Sequence, residues 1–172
     1  IGGIIFTLMT TWKTGRRLVA ERITARTFPL QSFMVGVETD PPVRVPGTAV
    51  FMTAQPHGTP PALVHNLRYN KVLHERVVIL NILTVQHPYS DESERFAVEE
   101  LGNGVYNVKL QYGFMEDPDV PNALVLAQAK GLEMDQGDVT FFLGRETIIP
   151  TKREGMALWR ERLFVLMSRN AQ

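Results

Sequence analysis

Four histidines, no cysteine and scattered carboxylates are the side chains with which this 172-residue chain could do chemistry. The absence of cysteine removes thiolate nucleophiles, disulfide frameworks and Cys-ligated zinc together, and it fits a reducing compartment. His57, His65, His74 and His87 form no i, i+4 pair and no H-E-x-x-H, so metal-ligand spacing is missing. His65 and His74 flank a helix-to-strand turn, and the simpler reading of both is structural or solvent-facing. No G-x-S-x-G elbow surrounds Ser32, Ser90, Ser93 or Ser168, which argues against serine-triad hydrolysis. No phosphate-loop pattern occurs, and no G-x-G-x-x-G follows a strand. Asp91, Glu92 and Glu94 read as a solvated run. Asp117 and Asp119 bracket Pro118 and suit a helix cap better than acid–base work. No constellation supports a stand-alone enzyme, and no cofactor is implied.

Two polar groups remain as candidates for a ligand or an interface. One is His65, Asn66, Asn70 and Lys71, along a helix and at its exit. The other is Gly144-Arg145-Glu146, where charges interrupt an apolar strand. Arg145 and Glu146 must be paired, at an edge, or facing a partner, and pairing within the fold is the simpler choice.

The elements that must position these groups follow from periodicity. Residues 11–26 read as a helix, and a second short helix runs from Leu30 to Val37 before Pro41-Pro42. Residues 48–53 form a short buried strand. Thr59 caps a helix that opens on Pro60-Pro61 and ends near Lys71. The β-branched run 75–85 reads as a central strand covered on both faces. A hairpin turns at Gly102-Asn103-Gly104, between apolar residues that alternate with polar ones. Pro121 and Gly131 frame a helix, residues 139–149 are strand-like, and residues 155–168 form an amphipathic helix. On that helix Met156, Trp159, Leu163, Phe164 and Met167 make one stripe. The fold class expected is α/β, with α+β the alternative: a small mixed β-sheet flanked by helices.

Lys+Arg and Asp+Glu both total 18, so the net charge is zero, which argues against a whole-chain nucleic-acid binder. The distribution is uneven. Residues 1–26 carry five basic side chains against Glu21 alone, a balance of +4. Residues 27–151 hold 8 basic and 15 acidic groups, a balance of −7, and residues 152–172 hold 5 and 2, a balance of +3. Ile1–Trp12 has no charge and, at ~1.5 Å per residue, would span roughly 18 Å of a ~30 Å hydrocarbon core. It reads as the second half of a transmembrane helix whose first half lies upstream. Trp12, Lys13, Arg16, Arg17 and Arg22 then form a cytoplasmic exit that touches the membrane surface. An amphipathic N-terminal helix packed on its own domain is the alternative. The organisation expected is a truncated membrane helix over 1–12, a basic juxtamembrane connector over 13–45, and an α/β domain over 46–172.

Six segments, in order, carry a family resemblance. They are Arg44-Val45-Pro46-Gly47-Thr48-Ala49-Val50-Phe51, Pro60-Pro61-Ala62-Leu63-Val64-His65-Asn66-Leu67 and Asn70-Lys71-Val72-Leu73-His74-Glu75, then Tyr112-Gly113-Phe114-Met115-Glu116, Phe142-Leu143-Gly144-Arg145-Glu146-Thr147 and Trp159-Arg160-Glu161-Arg162-Leu163-Phe164. Together they resemble the C-terminal cytosolic domain of the KUP (KUP/HAK/KT) potassium uptake transporters, over nearly the whole chain. The resemblance implies a potassium:proton symporter of the inner or plasma membrane, with a twelve-helix membrane portion. Its potassium and proton sites lie in those helices, so no transport residue falls in this chain. This portion would lie on the cytoplasmic side, with a regulatory or dimerisation role and no catalysis of its own. The alternative is a module sensing a regulatory nucleotide near His65, Asn66, Asn70, Lys71 or Arg145. Some relatives in the wider family respond to cyclic di-AMP, and no motif here places that site.

Overall fold

A computed structural model of the chain describes residues 2–53, 58–91, 95–128, 131–132, 134, 137–144 and 155–170. It divides into two compact units, Ile1–Thr27 with Arg145–Gln172, and Phe28–Gly144.

The larger unit is a three-layer sandwich. Its sheet contains β2 (Val43–Thr53), β4 (Val72–Val85), β5 (Phe96–Gly102), β6 (Val105–Gly113) and β7 (Val139–Phe142), while β1 (Phe28–Pro29) and β3 (Gly58–Thr59) make a small antiparallel pair. The five-stranded order is β5-β6-β4-β2-β7, with β5 alone antiparallel to its neighbour. The expected mixed sheet and α/β class are therefore observed. Helix α3 (Pro61–Asn70) connects β2 to β4 in one direction, and α4 (Val120–Gln128) carries the chain back from β6 to β7 in the other. Right-handed crossovers running in opposite directions put their helices on opposite faces of a sheet.

Strand alternation builds a core on each face. Ala49, Phe51, Val77 and Ile79 face α3 and α2 (Leu30–Thr39), packing against Leu63, Phe33 and Val37. Val50, Val78, Leu80, Val108 and Leu110 face Ala123, Leu124 and Ala127 of α4. β4 is the central strand its composition implies, buried from Val77 through Asn81, and it begins at Val72 rather than Glu75. Helix α2 buries Phe33 and Val37, so residues 28–45, expected as a connector, supply part of this core.

The hairpin forms where the glycines mark it. Asn103 and Gly104 have φ of 52° and 71°, so both central residues of the two-residue loop are left-handed, as a type I′ turn demands. One cap is corrected. Thr59 lies in β3, the α3 N-cap is Pro60, and no side chain caps that end. Proline in the first turn fits because the first amides of a helix have no intrahelical partner.

The smaller unit pairs two helices. α1 (Gly2–Arg26) is one continuous helix of 25 residues, spanning both the apolar end and the basic segment. Thr11, Gly15 and Leu18 recur at i, i+4 and i+7 on the side facing α5 (Leu158–Arg169) and the turn before it. The stripe expected on α5 is corrected: the buried residues are Glu161, Phe164 and Val165, while Trp159 is 59% exposed. Spacing i, i+3, i+4 centres the contact on Phe164 and turns Trp159 aside. The strand expected over 139–149 is corrected: it ends at Phe142, Leu143 and Gly144 lie outside any strand, and residues 145–149 fall outside the described residues.

Candidate functional site

The basic segment of α1 leaves its charges in water. Lys13, Arg16 and Arg17 are exposed, and Arg22 is half-buried. Arg17 meets Glu21, one turn on, at 3.6 Å, an exposed pair worth little. Trp12 is half-buried: its ring lies 5.6 Å from Phe164, and the Arg16 guanidinium sits 5.9 Å from its centroid. Arg160 Nε donates to Thr11 Oγ1 at 3.0 Å, holding α5 to α1 at the same level. The turns before Trp12 carry Ile4, Phe6 and Met9, each more than two-thirds exposed. Up to Trp12 the helix carries no charged side chain, and its cations begin at Lys13. No helix among the described residues is long and apolar enough to cross a membrane.

In the larger unit, Asn66 and Asn70 are occupied by the fold. Asn66 Nδ2 donates to the Val72 carbonyl at 3.1 Å, and Asn70 Nδ2 donates to Asn66 Oδ1 at 2.7 Å. Lys71 takes φ 60° at the helix end, and its amide donates to the Leu67 carbonyl. This network closes α3 and launches β4, leaving the side chains of His65 and Lys71 outside. His65 stands edge-on to Tyr69 at 5.9 Å. Arg145 and Glu146, with His57, lie outside the described residues. Among those described, no cluster of histidine, aspartate and glutamate could hold a metal ion.

Lys71 instead borders a groove of about 510 Å3 between α2 and α3. Phe28, Phe33, Val43, Val64 and Leu67 give it apolar walls, Arg68 and Lys71 supply cations, and Asp40 supplies a carboxylate. Its size falls in the range of small-molecule sites. Sequence reading missed Phe28 and Arg68, because their meeting depends on how α2 crosses α3.

Two structural clusters also escaped it. Arg44 donates from Nη1 to the His74 carbonyl at 2.8 Å and from Nη2 to the Asn103 carbonyl at 2.9 Å, and burial lowers its pKa. At the other end of the sheet, Glu116 Oε2 accepts from the Gly113 amide at 2.6 Å and the Ser90 amide at 3.1 Å, while Oε1 meets Arg95 Nη2. The Gly113 amide, then the Ser90 amide, hold the Glu116 carboxyl below its ordinary value. Burial raises the pKa of Tyr112, whose hydroxyl donates to the Asp119 carbonyl.

Comparison with known proteins agrees with the resemblance. Residues 46–172 match the family described as K+ potassium transporter C-terminal domain. A protein named "Probable potassium transport system protein Kup" from Myxococcus xanthus (strain DK1622) is 54% identical over 169 residues, 98% of this chain and 26% of that protein. Its namesake from Azoarcus sp. (strain BH72) is 52% identical over 171 residues, 99% of this chain and 27% of that one. The namesake from Xylella fastidiosa (strain 9a5c) is 49% identical over 172 residues, with 99% and 27% covered. The chain thus spans about a quarter of the length of the curated relatives it matches. No solved structure matches it significantly. With the sheet from Pro46 of β2 onward inside the matched segment, and α5 with it, this chain belongs to the K+ potassium transporter family as its C-terminal domain.

Proposed function

We propose that this chain is the cytoplasmic C-terminal domain of a potassium:proton symporter of the inner or plasma membrane, with a regulatory or dimerisation role and no catalysis of its own. One observation carries the reading. Within a chain of this family, a single helix passes from exposed apolar residues through Trp12 to the exposed cations Lys13, Arg16 and Arg17. Residues 1–12 are the cytoplasmic end of the last membrane helix, and the basic turns after them lie against the anionic leaflet. Each Lys or Arg near such a surface contributes about 1 kcal/mol. The middle of the chain, with a balance of −7, is repelled by such a surface.

Co-sedimentation with phosphatidylserine-containing vesicles tests this. Changing Arg16, Arg17 and Arg22 together to glutamine removes roughly 3 kcal/mol of attraction, a fall in partitioning of about two orders of magnitude. Unchanged binding by that variant overturns the membrane-surface role. Light scattering tests the dimerisation role, with a dimer at micromolar concentration as the supporting result.

The α2–α3 groove favours a second reading, a nucleotide-sensing module. Its aromatic walls suit a base, and Arg68 with Lys71 suits a phosphate. A nucleotide present at ~100 times its Kd should add ~2.7 kcal/mol to stability. A panel, including cyclic dinucleotides, that leaves the melting temperature unchanged excludes this reading and leaves the first intact.

A further inference from the structure

Tyr89, Phe114 and Met115 are 66%, 60% and 63% exposed, and they sit on two loops fastened to each other at one end of the sheet. The Phe114 amide donates to the His87 carbonyl at 3.0 Å, and the Met115 amide to the Pro88 carbonyl at 3.1 Å. Glu116 ties Ser90, Gly113 and Arg95 into the same knot. The ledge is thus held rigid from behind, and its three large apolar side chains stay in water. Aromatic and methionine side chains presented together on a preorganised surface are the usual anchors of an interface.

The rim selects the partner. Asp91 follows Ser90, and Asp117 follows Glu116, so the Ser90–Glu116 hydrogen bonds bring both exposed carboxylates to the ledge. Asp119, also exposed, lies two residues further and accepts the Asn122 amide at 3.1 Å. Arg95, the cation in the knot, is engaged by Glu116. An anionic bilayer is repelled by such a rim, although exposed aromatics alone would suit one. An acidic protein is repelled for the same reason.

We infer that this ledge docks a basic amphipathic helix of a protein partner. The apolar face of that helix covers Tyr89, Phe114 and Met115, and its lysines or arginines meet Asp91, Asp117 and Asp119. Electrostatic complementarity sets the choice and the rate of encounter, while the buried aromatics set residence time.

The test uses this chain and a labelled helical peptide about four turns long, with leucine on one face and lysine on the other. Fluorescence anisotropy near physiological salt is the readout. Phe114→Ser combined with Met115→Ser should weaken binding about tenfold or more, and Asp91→Asn with Asp117→Asn should weaken it and flatten its salt dependence. The same peptide carrying glutamate for lysine should not bind. All four substituted side chains are exposed, so the variants should keep the parental melting temperature. Binding that ignores the apolar pair or the carboxylate pair overturns the inference, as does equal binding of the glutamate peptide. Two further results also overturn it by naming another occupant: capture by anionic vesicles that depends on Phe114, and a dimer that depends on Phe114.

Discussion

Asn66 and Glu116 show what a single polar side chain does when the fold surrounds it. Asn66 is 9% exposed and spends its amide on Val72 and its carbonyl oxygen on Asn70. Asn66→Ala leaves the Val72 carbonyl without its donor at the helix-to-strand turn, and should cost about 1–3 kcal/mol in urea denaturation. Glu116 titrates below its ordinary pKa of 4.5 because amides of Gly113 and Ser90 hydrogen-bond its charged form. A carboxylate lowered by folding adds stability above its unfolded pKa and loses it as pH falls through the folded one. Melting temperature should therefore drop below about pH 4.5, and Glu116→Gln should make that acid limb shallower. Neither partner set was legible in the sequence. Asn66 reads there as a polar helix residue and Glu116 draws no reading of its own, because Val72, Ser90 and Arg95 reach them only through turns.

Elements were read more surely than their ends. The β-branched run of β4, the Asn103-Gly104 turn and the prolines that open α3 and α4 are local signals, and an element forms at each. Thr59 misled because Pro60-Pro61 can start a helix without a side-chain cap, which frees Thr59 to pair with Phe28 in the small sheet. Trp159 misled because an amphipathic stripe on α5 is broader than the contact that α1 makes with it. That contact runs through Gly15, where any Cβ would overlap the buried Phe164 ring. Gly15→Val should force Phe164 aside at a cost of about 1–3 kcal/mol, read as faster amide hydrogen exchange along α1 and α5. Unchanged exchange would mean that the two helices part without consequence for either.

At the scale of the whole molecule, the zero net charge is a cancellation of +4, −7 and +3 along the chain. If the basic turns of α1 hold the membrane surface by Coulomb attraction, vesicle binding should fall steeply as salt rises from ~0.1 M to ~1 M, where the Debye length shrinks from ~10 Å to ~3 Å. Binding that ignores salt would assign the attachment to the apolar turns around Phe6 instead. The sequence alone was enough for the α/β class, the existence of the main helices and the central strands, the charge layout and the family, since all of these are carried by residue type and short-range spacing. Tertiary structure decided which distant residues meet: Arg160 with Thr11 across 149 positions, Arg44 with Asn103, the groove walls Phe28 and Arg68, and the ledge that joins His87 to Phe114. Periodicity fixes which face of an element is apolar. Chain crossing and register fix what that face touches, and neither is written in any one stretch of sequence.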